Sequence, residues 1–287
     1  MAKNKVIKPK ALKIPKIIKL TATLLQTIAP HLATLFAAKL FTTPIKHKIP
    51  KREIPMDSQS KQSSCFIPAI QKDIVVYQYG ISNKKILLIH GWSGRGTQLF
   101  KIADQLLQSG YQTISFDAPA HGKSKGHSTI MIEFIACIHE LDKQFGPFEF
   151  AIGHSLGGMA LINALKNNLK IKKAVTIGSG DIIQDIVEDF IHKLGLPPDQ
   201  ALRMRDHFEK KYQLPMDSLT TSREAHLINT PVLIIHDQQD DEVNSKAAHA
   251  IHNAIPNSQL MITQGLGHRK ILGATEVINK ITNFITN

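Results

Sequence analysis

The chain has 287 residues, 43% of them hydrophobic, enough for one large core or two modest ones. Its formal charge of +12 points at first to nucleic acid, but twelve Lys and Arg and no acid lie in residues 1–52, and the 23 basic residues that remain meet 23 acids. A nucleic-acid face belongs on the folded domain, so this distribution excludes one, and the wide spacing of Cys65 and Cys137 excludes a disulfide framework or a cysteine-based zinc site.

Residues 1–52 read as a basic, partly helical N-terminal extension. "MAKNKVIKPKALKIPKIIK" places a lysine every two or three residues, with Pro9 and Pro15 opposing any continuous helix. Residues 20–38, "LTATLLQTIAPHLATLFAA", carry no charge. Leu24, Leu25, Ile28, Leu32, Leu35 and Phe36 share one side at helical spacing, and Thr23, Gln26, Thr27, Pro30, His31 and Thr34 the other. A bilayer-spanning helix needs apolar groups all round, and a cleaved signal peptide needs an A-x-A site that is not evident here. The favoured reading is an amphipathic helix packed on its own domain, then an anchor at an anionic membrane surface, with a true span or cleaved signal as the remaining alternative. Two unpaired cysteines fit a reducing, cytoplasmic setting, with peripheral membrane contact through residues 1–52 as the variant.

From residue 65 to 287 apolar runs alternate with amphipathic stretches. "DIVVYQYG" (73–80) alternates as a strand and ends in a turn, while "KKILLIHG" (84–91) is continuous, as a strand covered on both faces should be. A helix over 96–110 follows, then strand 111–119, the loop "AHGKSKGHS", and a helix over 129–146 capped by Ser128. Strand 148–153 enters helix 155–168, and strand 172–179 comes next. The rhythm then breaks for residues 181–228, which are mostly helical, and resumes with strand 231–236, helix 245–255, strand 258–265 and a last helix over 270–285. This pattern predicts an α/β fold: a mostly parallel sheet, helices on both faces, and residues 181–228 as a helical cap.

Reactive groups collect at the carboxyl ends of such strands. Ser155, in "AIGHSLGGMA", stands where a strand meets a helix, with Gly153 and Gly157 on either side. Glycines there relieve clashes between a sharp turn and the adjoining strand and helix. A serine hydroxyl needs a base and the base a carboxylate. The next strand ends offer Asp240 or Asp241 in "DQQDD", then His268 in "LGH". Two backbone amides must face the developing oxyanion; Leu156 supplies one and Trp92, in "LLIHGWSGRG", the other. His90 and His121 read as structural groups, His154 as tuning the site, Arg95 and Lys123 as solvated loop charges, and Asp181 as the start of the cap.

Five motifs in order, "HGW", "DAPAHGKS", "GHSLGG", "HDQQDDEV" and "GLGHR", resemble those of the α/β-hydrolase family from about residue 73 to 287. The family pattern "HGxxDxxV" selects Asp240 over Asp241. Asp237 and Ala120 replace its usual glycines in "HGxxD" and "PGHG". The resemblance implies a serine hydrolase working through an acyl-enzyme on a small-molecule carboxylic ester or thioester, with no metal or organic cofactor and no nucleic acid. It implies Ser155, Asp240 and His268 as triad and Trp92 and Leu156 as oxyanion hole. Acyl transfer, C–C bond hydrolysis and a non-catalytic membrane-recruited binding role share these motifs. The serine tells against haloalkane dehalogenases and epoxide hydrolases, which carry aspartate there.

Overall fold

A computed structural model describes residues 14–287, so the basic run over 1–13 lies outside the described residues. The strands are β1 (Lys61–Ile67), β2 (Lys72–Tyr79), β3 (Lys85–Ile89), β4 (Gln112–Asp117), β5 (Phe150–His154), β6 (Lys173–Ile177), β7 (Val232–Asp237) and β8 (Ser258–Thr263). They form one sheet in the order β1-β2-β4-β3-β5-β6-β7-β8. β1 and β2 pair antiparallel, as do β2 and β4, and every later pairing is parallel. The continuous apolar runs occupy the middle, where both faces are covered. Alternation along β3 divides its side chains between two cores: Leu87 and Ile89 on one face, Ile86 and Leu88 on the other.

Helices α1 (Lys16–Ile28), α2 (Pro30–Phe41) and the short α3 (Ile54–Gln59) precede the sheet. Of the rest, α5 (Met131–Phe145), α6 (Leu156–Lys166) and α9 (Lys246–Ala254) cover one face. α4 (Phe100–Gln108) and α11 (Thr275–Thr286), following the one-turn α10 (Gly267–Lys270), cover the other. The break in the rhythm is α7 (Ile183–Leu194) and α8 (Asp199–Tyr212), inserted between β6 and β7. Asp181 ties both ends of this insertion: its carboxylate accepts from Ser222 N–H at 2.7 Å and Ser222 Oγ at 2.9 Å.

Two expectations need correction. The sheet begins with β1, ahead of residue 65, in a segment the strand pattern did not mark. The helix over 20–38 is two helices meeting at Ala29–Pro30, and the side it buries is neither the leucine stripe nor most of the polar one, since Thr23, Thr27, Pro30 and His31 are exposed as well. Ala22, Ala33, Thr34, Ala37 and Ala38 are buried, while Leu24, Ile28, Leu32 and Leu35 are exposed. Ala22, Ala37 and Ala38 pack with Val187, Ile191, Leu194, Ala201 and Met204 of α7 and α8. Small side chains let the helices approach closely, and polar groups on that side have partners. Thr34 Oγ1 donates to Gln200 Oε1 at 2.7 Å, and Gln200 Nε2 donates to Gln26 Oε1 at 2.7 Å. Close packing and satisfied hydrogen bonds thus outweigh the orientation that leucine burial alone would favour.

Candidate active site

The turn from β5 into α6 holds Ser155 at φ 53° and ψ −121°, a left-handed backbone that non-glycine residues adopt at a cost of ~1–3 kcal/mol. The surroundings impose it. A Cβ on residue 153 would lie 2.4 Å from the Gly157 carbonyl oxygen, and one on residue 157 would lie 2.5 Å from those of Ile89 and His90. The Ser155 N–H is tied to the Ile177 carbonyl at 2.9 Å. Its hydroxyl does not cap α6; it faces a cavity.

The loop after β7 carries Asp240, the candidate acid. Asp240 Oδ1 accepts the N–H groups of Glu242 and Val243, each at 2.9 Å. Oδ2 receives His268 Nδ1 at 2.7 Å and has His236 Nε2 at 3.3 Å. Burial by itself would raise the carboxyl; the hydrogen bonds from His236 and His268, with the His268 charge and the Val243 amide, hold it well below the usual carboxylate range. An ionised carboxylate there favours the proton on Nδ1 of His268 and leaves Nε2 as the nitrogen with a free lone pair. Asp241 is exposed, so geometry as well as spacing favours Asp240. Behind the imidazole, the His154 ring stands 4.7 Å away and its Nε2 donates to the His268 carbonyl at 3.0 Å. A side chain at Gly178 would crowd the same ring, its Cβ 3.2 Å from Nδ1.

The loop after β3 carries Trp92. Among the described residues, neither its N–H nor that of Leu156 has a backbone acceptor. Gly91 brings this loop against the serine, for a Cβ there would lie 2.9 Å from Ser155 Cβ. Two buried histidines hold the loop in place. Ala118 N–H donates to His90 Nε2 and Ser93 N–H donates to His121 Nε2, both at 3.0 Å. Burial lowers His90 to about 4 and His121 to about 3, so both accept as neutral rings. The Trp92 ring stands edge-on to His121.

Ser155, Leu156, Trp92, Asp240 and His268 all line one cavity of about 1770 Å³. Its remaining wall is largely apolar: Met131 and Met159 below, Phe190 and Leu194 from α7, Phe208 and Tyr212 from α8, and Ile14, Ile18 and Phe41 from the N-terminal helices.

A family model described as the alpha/beta hydrolase fold matches residues 84–207. Among solved structures, an esterase from Pyrococcus furiosus aligns with a TM-score of 0.64 at 18% identity, covering 85% of this chain and 97% of that one. An esterase from Exiguobacterium antarcticum aligns at 0.63 and 17%, over 79% of this chain and 100% of its own. A bromoperoxidase from Bacillus anthracis aligns at 0.60 and 19%, over the same shares. This chain has the α/β-hydrolase fold. At such identities the likeness speaks for architecture alone, and a comparison with curated proteins returned no match.

Within the α/β-hydrolase fold, four placements differ from the sequence reading or add to it. Arg95 is not a solvated charge; its guanidinium grips buried Glu53 at 2.8 and 2.9 Å, and Thr97 Oγ1 donates to the same carboxylate. Lys123 is paired with Asp57. Asp237, an apparent departure from the motif, braces both site loops. It accepts from Gln239 N–H, Leu266 N–H and Thr263 Oγ1 at 2.8–3.0 Å. His236 is the histidine of the "HDQQDDEV" motif whose spacing selects Asp240; that its ring also stands beside the Asp240 carboxylate, 3.3 Å away, is what the sequence reading missed.

Proposed function

We propose that the protein is a serine hydrolase that cleaves a carboxylic ester or thioester with an apolar acyl group. The observation that carries this reading is the 2.7 Å contact between Asp240 and His268, on the cavity that also receives strained Ser155. Ser155 Oγ attacks the acyl carbon. His268 Nε2 takes its proton and returns it to the leaving alkoxide or thiolate, while Asp240 stabilises the imidazolium. The N–H groups of Trp92 and Leu156 bind the oxyanion. Water then attacks the acyl-enzyme through the same base. Contacts of this kind tighten once substrate is bound, which suits a serine hydroxyl that is free beforehand.

Acyl preference follows from the cavity. Its 1770 Å³ exceeds the roughly 300–1,000 Å³ of a small-ligand pocket, and the aromatic and aliphatic wall from the cap favours an extended acyl chain. The test pairs a fluorophosphonate probe with a series of p-nitrophenyl esters. Wild type should be labelled and Ser155→Ala should not, with turnover falling by about 10³-fold or more. Equal labelling of the two proteins would rule out Ser155 as nucleophile.

A further inference from the structure

Helices α1 and α2 present to solvent the side chains that ordinarily go inside. Ile17, Leu20, Leu24 and Ile28 recur on one stripe of α1 and are 71, 67, 59 and 70% exposed. Leu32 and Leu35 add exposed apolar groups on α2. These helices cannot simply roll over to hide the stripe. Their other side is committed to the cap through Ala22, Ala37 and Ala38, and through the chain of hydrogen bonds from Thr34 to Gln200 to Gln26. A row of large apolar side chains held in water marks a surface with an occupant.

Charge identifies that occupant. Lys16, Lys19 and Lys39 are exposed on the same two helices, and residues 1–13 add Lys3, Lys5, Lys8, Lys10 and Lys13. No acid precedes Glu53. A second copy of this surface would set lysines against lysines. An anionic bilayer offers what both features need, phosphates for the ammonium groups and an acyl boundary for the leucines, with lysine stems reaching from one to the other. No described helix is long and apolar enough to cross a membrane, so α1 would lie in the interfacial plane. We propose that α1–α2 docks the protein peripherally on anionic lipid, with Ile17, Leu20, Leu24 and Ile28 inserted. Ile18 on α1, and Ile14 just ahead of the helix, line the cavity, so the docking helix is also part of the cavity wall. The docking stands whether or not Ser155 is a nucleophile.

Vesicle flotation with the full chain tests it, reading binding directly and not activity. Wild type should float with vesicles containing about 30% phosphatidylglycerol, at least about tenfold more than with pure phosphatidylcholine, and should detach as salt rises. The triple variant Leu20→Ser/Leu24→Ser/Ile28→Ser should lose about tenfold in binding, because the inserted area is what holds it. Lys16→Glu/Lys19→Glu should weaken anionic binding while leaving the stripe intact. Both sets of positions are exposed, so thermal unfolding should match wild type and exclude misfolding as the cause. The proposal falls if wild type ignores anionic vesicles, binds neutral ones equally, or binds undiminished after the triple substitution. It falls equally if wild type is a dimer in solution that the triple substitution of Leu20, Leu24 and Ile28 converts to a monomer, which would make a second copy the occupant.

Discussion

His236 Nε2 lies 3.3 Å from Asp240 Oδ2, the same oxygen that receives His268 Nδ1 at 2.7 Å. The same Nε2 donates to the Val243 carbonyl at 3.0 Å, so its one proton lies between that oxygen and the carboxylate. A full donor to a buried carboxylate contributes roughly 1.5–3 kcal/mol and a shared one less, while the bond to Val243 fixes the loop that carries Asp240. His236→Ala should lower kcat by about tenfold or more with KM little changed, and should move the acid limb of the pH–rate profile. An unaltered profile would leave His236 a packing group only.

Folding should depend on pH through the loop histidines. Burial lowers His90 to about 4 and His121 to about 3, whereas an unfolded chain takes up these protons near pH 6.5. Below that pH the unfolded state binds more protons, so stability is complete above about 6.5 and drains away as pH falls toward 4. Each histidine contributes at most about 1.4 kcal/mol per pH unit across that window. Asp240 adds a separate loss at lower pH, because its lowered carboxyl stabilises the fold until it is protonated. Denaturant midpoints taken from pH 7 to 5 should fall for wild type, and His121→Asn should flatten part of the slope. A wild-type midpoint constant over that range would contradict the neutral, buried assignment.

Gly157→Ala should be harsh for so small a change. The added methyl meets two backbone carbonyl oxygens at 2.5 Å, and neither can move without shifting β3 or the oxyanion loop. Overpacking of this sort costs about 1–3 kcal/mol, and the strained serine turn gives it no slack. Denaturant unfolding should report that loss, accompanied by reduced fluorophosphonate labelling. A variant of wild-type stability would mean that the elbow relaxes more easily than its contacts imply.

The legible parts of this molecule share one property: their signal is local. A run such as "KILLI" is apolar throughout because β3 is covered on both sides, and the turn glycines announce themselves by spacing. Strand β1, "KQSSCFI", was hidden because an edge strand is mostly exposed and shows little alternation. The N-terminal helices misled for a different reason. Leucines mark a face as apolar, but alanines can pack more closely, and the decision between them rested on Gln200, far along the chain in α8. Asp237 and His236 likewise have roles only once β7, β8 and the loops beyond them are brought together.

Asp181 closes the cap insertion with a single carboxylate, gathering residue 222 to the same point where the chain leaves the sheet. Everything between enters and exits through one doorway, while Asp240, His268 and Ser155 stand on other loops. A replacement roof would thus have to keep this anchor on the sheet and the face that meets the alanines of α1 and α2, leaving the loops on the floor as they are.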